Sequence, residues 1–263
     1  MTAALDVGNT NIVLAISDGG EWISTYRVFS DQKKTSDEYR VIFSSLLKNG
    51  DADPGAVDKV IISSVVPNLT LSMQKVMSKL FGVSPFVVSR FAETGLDRAS
   101  IPAQLGSDLL CNLAWAHHVH PDKYVMTVAF GTALTFSTVS PKGEVKGVAI
   151  VPGLLTGVNA LFGSTAQLPQ AELSQPESCL GRNSEDSIRA GMMFGYAGLV
   201  ERLIRQTSQE LEARIYVMAT GGLCQTIAPM IPLIDSVDKY HTLNGLRLLA
   251  QLNSESKDSI FEN

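Results

Sequence analysis

The feature that most restricts the fold is a strand–turn–strand unit that occurs twice. Ala4–Ser17 reads ALDVGNTNIVLAIS, and Val125–Ser140 reads VMTVAFGTALTFSTVS. Each is an apolar strand, a tight turn at Gly-Asn-Thr or Gly-Thr-Ala, and a second apolar strand, which is a hairpin signal. A chain that returns to its opening hairpin near its middle is built from two similar halves. The copies differ in one chemical respect. Asp6 stands two residues before its glycine, and Ala129 takes that place in the second copy.

The segments between the hairpins alternate in type. EWISTYRVFS alternates as a third strand, and TSDEYRVIFSSLLKNG reads as a helix with a Ser/Asp cap that ends at Gly50. DKVIISSVVP is a buried strand stopped by Pro67, LTLSMQKVMSKLFG a helix ended by glycine, PFVVSR a strand, and Ser107–His118 a helix. The meander then returns in KYVMTVAFG, ALTFSTVSP and VKGVAIVPG. Helical stretches follow over 154–167 and 184–213, then the strand RIYVMATGG and a closing helix, HTLNGLRLLAQLN. This order implies an α/β fold of two halves, 1–118 and 119–263, each a mixed sheet flanked by helices. A ligand cleft is expected between them.

Composition excludes several function classes. With 263 residues, 45% hydrophobic and 18% charged, the chain carries a sizeable core. A net charge of −5 argues against nucleic acid as the main partner, but not against a phosphate held by backbone amides. Cys111, Cys179 and Cys224 have neither metal-site nor redox spacing, which points to a reducing compartment. His117, His118 and His120 lack the i, i+4 spacing of a zinc helix and read as a solvated helix end. No basic leader precedes Asp6, and no window reaches the ~18 apolar residues of a membrane helix. The expectation is a cytoplasmic protein with no membrane partner.

The turns carry the chemistry. DVGNTN gathers backbone amides and the Thr10 hydroxyl at one point, with Gly8 allowing close approach. Such a nest suits phosphate oxygens, and Asp6 beside it suits Mg²⁺ held through water. A plain hairpin turn would use the same residues. Gly131, Thr132 and Ala133 repeat the offer, and Gly221-Gly222 after the late strand is either a strand-to-helix turn or a close approach to a flat ligand such as adenine. Asp108, in the first turn of its helix, is either a helix N-terminal charge or a general base toward a substrate hydroxyl; spacing alone does not decide. There is no GxxxxGK[ST] loop and no GxGxxG after the first strand. Paired hairpins are instead the arrangement of the actin, Hsp70 and sugar-kinase superfamily.

The ordered series LDVGNTN, ISSVVPNL, LGSD, FGTALTF, AIVPG, GRNS, ATGG and LNGLRLLA, from Leu5 to Ala250, resembles type III pantothenate kinase. The resemblance implies two ribonuclease-H-like halves with a nucleotide cleft between them, in a homodimer. It implies ATP-dependent phosphorylation of pantothenate to 4'-phosphopantothenate, the first step of coenzyme A biosynthesis, with Mg²⁺ and a monovalent cation, K⁺ or NH₄⁺. By the same resemblance Asp6, Val7, Gly8, Asn9, Thr10, Asn11, Ile12 and Val13 form the first phosphate loop. Gly131 and Thr132 contact the phosphates, and Gly221 and Gly222 approach the nucleotide. Asp108 is the base, and Gly106, Ser107, Asp108 and Leu109 line pantothenate, with Ser184 reaching it from the partner subunit. This chain departs from the family pattern at five places, one of them Leu134 in place of a threonine. Leu109 replaces an arginine, Ala129 the acid that holds the monovalent cation, and Ala99 a tyrosine, while Val148 is the second member of a Gly-Gly-Ala-Ile run. Two alternatives follow: an impaired homologue that binds nucleotide and acts through protein partners, or a kinase of another small hydroxyl compound.

Overall fold

A computed structural model describes residues 1–163 and 173–258 of the chain. It contains two compact units, Met1–Trp115 together with His241–Asn263, and Ala116–Tyr240. The closing helix therefore packs with the first unit, whereas the sequence placed it in a half running from 119 to 263. Sequence distance hides this, because the helix meets strands laid down at the start of the chain.

The first unit is built on β1 (Thr2–Val7), β2 (Asn11–Asp18), β3 (Glu21–Phe29), β4 (Lys59–Ser64) and β5 (Phe86–Val87), with α1 (Ser36–Lys48) and α2 (Pro67–Phe81) between the later strands. The sheet order is β3-β2-β1-β4-β5. β1 pairs antiparallel with β2 and parallel with β4, so the sheet is mixed. Successive residues of a strand face opposite ways. Ala3, Leu5 and Val7 of β1, Ile12, Leu14 and Ile16 of β2, and Val60 and Ile62 of β4 thus form one buried cluster with α1 and α2. α1 supplies Tyr39, Phe43 and Leu47, a stripe at i, i+4, i+8. Its cap is Thr35 rather than the expected Ser or Asp: the Thr35 hydroxyl accepts from the Glu38 amide while Glu38 accepts from the Thr35 amide. α2 begins at Pro67, where proline is pre-set for a first helical turn.

The opposite face of β1 and β4 carries Ala4, Asp6, Ile61 and Ser63. α7 (His241–Asp258) lies over these two strands. α7 also meets α3 (Ser107–Val119) at very close range, since a Cβ on Gly245 would stand 2.2 Å from the Cys111 carbonyl oxygen. His241 Nε2 bonds the Asn112 carbonyl at 3.0 Å, and the Thr242 hydroxyl donates to Asn112 Oδ1 at 2.8 Å.

The second unit repeats the plan with β6 (Tyr124–Phe130), β7 (Ala133–Val139), β8 (Val145–Pro152), β9 (Ile215–Gly221) and β10 (Ser236–Val237), in the order β10-β9-β6-β7-β8. The antiparallel meander and the parallel return strands match the first unit in direction. Two five-stranded mixed sheets of one topology bear out the expected pair of ribonuclease-H-like units. Met126, Val128, Phe130, Leu134, Phe136, Val217 and Ala219 bury one face against α5 (Ser184–Glu210) and the short α6 (Cys224–Ile227). The other face mixes buried apolar residues, Val125, Val139 and Met218, with buried Thr127, Ser137 and Thr220. α4 (Leu154–Gly163) starts the helix expected over 154–167; residues 164–167 lie outside the described residues. Among the described residues no helix is long and apolar enough to cross a membrane.

Candidate active site

Asp6 is the penultimate residue of β1. It pairs with Val13 on β2 and Ser63 on β4, and Val13 pairs with Arg27 on β3. Directly paired residues share a face, so Arg27, Val13, Asp6 and Ser63 form one row across the sheet. Burial pushes the Asp6 carboxyl up to about 7, and the charge of Asp108 adds to the rise. A hydrogen bond from Ser63 and the Arg27 guanidinium pull the other way. Burial also raises Asp108, against hydrogen bonds from the amide of Leu109, at 2.8 Å, and its own amide. Two acids of raised pKa, with the charge of Asp108 acting on Asp6, form the chemical centre of the first unit. Cys111 nearby is a neutral thiol, lifted by burial and by both carboxylates, so it has no nucleophilic character.

The helix that carries Asp108 is fastened by its first residue. Ser107 Oγ lies 3.0 Å from Ser63 Oγ, accepts from the Ser64 amide at 2.9 Å and stands 3.1 Å from the Ser64 carbonyl. Ser63 and Ser64 were not singled out in the sequence. The alternation in KVIISS puts Ser63 on the face of Asp6 only once β4 is known to lie beside β1. Ser107 and Leu109, expected to line a substrate, both turn inward. The Ser107 hydroxyl is engaged with β4, and Leu109 is only 7% exposed. Gly106 sits against the Asp108 carboxylate, with a Cβ there reaching 2.6 Å from Asp108 Oδ1. Ala99 is exposed in a short turn capped by Asp97, and Arg98 beside it pairs with Glu93 at 2.6 Å.

The two expected phosphate turns are real hairpin turns of unequal length. Gly8 donates to the Asn11 carbonyl at 3.0 Å, and Gly131 donates to the Ala133 carbonyl at 3.2 Å. Those two amides are thus spent on closing the turns, and Val7 and Ile12 point into the core. Asn9, Thr10, Gly131 and Thr132 stand exposed at the tips, while Asn11 and Val13 are half-buried. In the second unit the Thr132 carbonyl accepts from the Gly153 amide at 2.9 Å and the Thr156 hydroxyl at 2.7 Å. A Cβ on Gly153 would lie 2.1 Å from the Gly131 carbonyl oxygen, so α4 starts directly against this turn. Gly153 closes the AIVPG motif, whereas Thr156 lies in no motif that the sequence reading singled out. Ala129 occupies the ladder position of Asp6, paired with Thr135 and Thr220. Its row offers hydroxyls and no carboxylate. Gly221 has φ +97° and its Cβ would stand 2.4 Å from the Phe130 carbonyl oxygen, which requires glycine whatever its neighbour Gly222 does.

Ser184 opens α5 next to the cap Asn183 and lines a cavity of about 610 Å³ with Leu161, Arg182, Ile188 and Gly191. It belongs to the second unit, and Asp6 and Asp108 belong to the first. Along α5, Gly191, Gly195 and Gly198 are exposed, and a Cβ at any of them would meet nothing within 4 Å.

A profile of the family described as type III pantothenate kinase matches residues 3–206. The chain belongs to the type III pantothenate kinase family. A type III pantothenate kinase of Geotalea daltonii is 38% identical, covering 97% of this chain and 100% of the relative. One of Pelobacter propionicus is 39% identical, covering 96% and 100%. In fold the chain is similar to the inorganic polyphosphate/ATP-glucomannokinase of an Arthrobacter species, with a TM-score of 0.50 at 13% identity, over 96% of this chain and 98% of that one. A sugar-kinase fold therefore accompanies a type III pantothenate kinase sequence.

The raised acids set a pH dependence of stability. Between 3.8 and about 7 the folded protein keeps a proton on Asp6 that the unfolded chain has released. The folded state then binds more protons, so stability falls as pH rises through that window and levels off above it. Asp108, shifted the same way, adds to the fall. Asp6→Asn is expected to remove most of this decline, measured as the urea midpoint against pH without ligands; an unchanged slope would mean that other groups cause it.

Proposed function

We propose that this chain transfers the γ-phosphoryl group of ATP to the primary hydroxyl of pantothenate, giving 4'-phosphopantothenate, the first step of coenzyme A biosynthesis. The family supports the reaction. The observation that carries the mechanism is the half-buried Asp108 carboxylate, with its raised pKa, on a helix fastened beside Asp6. Asp108 takes the proton of the attacking hydroxyl as its oxygen bonds the γ-phosphorus, and the bond to the β,γ-bridging oxygen breaks to release ADP. A base with pKa moved toward the working pH is suited to this role. Phosphoryl transfer otherwise depends on positioning and charge stabilisation.

The exposed tips at Asn9–Thr10 and Gly131–Thr132 are proposed to meet the phosphates through backbone and hydroxyl groups, and the Gly221-Gly222 turn to meet the adenine. Asp6 fits a divalent cation. Its carboxylate is held up by burial and a like charge, a cost that a bound cation offsets, and no cluster of three or more acidic, His or Cys ligands exists among the described residues. That donor set suits Mg²⁺, which keeps waters and takes one or two carboxylates plus phosphates; when bound it neutralises phosphate charge. Gly106 and Asp108 are proposed to form the pantothenate wall, with Ser107 and Leu109 behind it.

Asp108→Asn is expected to lower kcat by ~10²–10⁴ with little change in nucleotide affinity; equal turnover in the variant removes Asp108 from the role. The hydroxyl-only row at Ala129 leads to a second expectation. Turnover should respond weakly to K⁺ or NH₄⁺, and Ala129→Asp should strengthen the response. A strong K⁺ requirement in the unaltered chain would show that other ligands suffice. The open glycine face of α5 and the cavity at Ser184 support a homodimer with Ser184 serving the neighbouring site, and the enzyme is proposed to be cytoplasmic. Sedimentation at micromolar concentration is expected to give the mass of two chains, and a single-chain mass would withdraw both the dimer and the role of Ser184.

A further inference from the structure

We propose that the Ser63–Ser107 hydroxyl pair is a positioning device that sets the place of Asp108 relative to Asp6. The proposal rests on Asp108 being the base of the proposed reaction. A serine hydroxyl has one proton to donate and two lone pairs to accept. The Ser64 amide, at 2.9 Å, fills one lone pair of Ser107. The single Ser107 proton then has two acceptors in reach, Ser63 Oγ at 3.0 Å and the Ser64 carbonyl at 3.1 Å. Ser63 is fully buried and directly paired with Asp6 across β4 and β1, and its hydroxyl holds the Asp6 carboxyl down. When Ser63 donates to the Asp6 carboxylate, its oxygen is left to accept from Ser107. Asp6, its ladder partner Ser63 and the Ser107 hydroxyl bonded to Ser63 thus lead in sequence to the residue before Asp108.

The backbone makes this series mechanical. Val65, next after β4, bonds the Val7 carbonyl at 3.0 Å, so the end of β4 is fixed to the end of β1. Ser64 also anchors the next helix, its hydroxyl lying 2.8 Å from that of Thr70 in α2. α3 starts against this fixed point at Ser107. One turn beyond Asp108, Asn112 ties the same helix to His241 and Thr242 of α7. Asp108 is therefore held between two anchors, Ser107 on the end of β4 and Asn112 on α7. Loss of the Ser107 anchor frees the first turn to shift, and a displacement near 1 Å at a reacting group costs ~10² in rate.

Ser107→Ala is expected to lower kcat by ~10²-fold with KM for ATP unchanged, and Ser107→Thr to restore most of it. Ser63→Ala, which leaves Ser107 its bonds to Ser64, should give a smaller loss in the same parameter. The deciding comparison is Ser107→Ala in an Asp108→Asn background. A device acting through Asp108 adds no further loss there, whereas the full loss in both backgrounds overturns the proposal. Hydrogen exchange on the unliganded protein gives a readout free of activity. Ser107→Ala should speed exchange at the Leu110 amide, which bonds the Gly106 carbonyl at 3.0 Å; unchanged exchange overturns the proposal. An unaltered chain that makes no 4'-phosphopantothenate would sink the kinase reading instead, and the exchange measurement would still decide whether the anchor exists.

Discussion

A carboxylate on the helix-covered face of a sheet is the constraint around which the first unit is organised. Burying a charge is costly unless it is hydrogen-bonded and paired. Asp6 has a hydroxyl on one side, a guanidinium further along its row, and a second acid near enough to work against it. The strand pairing puts Ser63 beside it, and Ser63 in turn reaches the start of α3. A neutral leucine or valine at position 6 would pack as the other residues of this face do, and α3 would still be tied to the end of β4 by Ser107, with no acid beside Asp108. The arrangement is suited to a cation and phosphate, which offset the burial of Asp6 and the charge of Asp108 upon it.

The second unit shows what the same architecture looks like without that carboxylate. Ala129 sits in the same ladder position, its row continues with Thr135 and Thr220, and the turn that follows is one that Gly153 and Thr156 hold by its carbonyl. Strand order, direction and the glycine turn survive because packing requires them. The carboxylate does not survive, because no packing contact depends on it. The two sheets thus separate what the fold needs from what a site needs.

Much of this was readable from sequence, and the parts that were not share a cause. The duplicated meander, the helix closed by Gly82 and the turns at Gly8 and Gly131 follow from period, capping and turn chemistry that act over a few residues. Thr35 took the cap from its neighbours because Glu38 lies at the right offset to reciprocate. Asp6 and Asp108 were visible as candidates, one by its turn and one by a helix start. The effect of Asp108 on Asp6, and the roles of Ser63, Asn112 and Gly245, depend on which strand lies beside β1 and where the last helix returns. Those are long-range facts with no local signature. Leu109 is instructive in another way: at a position expected to face a substrate, burial has turned it into a core residue.

The central claim is that this site phosphorylates pantothenate at the expense of ATP. Phosphorus NMR of the purified chain with ATP, Mg²⁺ and pantothenate tests it most directly. The account predicts a new phosphomonoester phosphorus signal, coupled to the methylene protons beside the primary hydroxyl oxygen of pantothenate, growing in step with ADP. Unchanged ATP, or ADP and free phosphate with no 4'-phosphopantothenate, would contradict it.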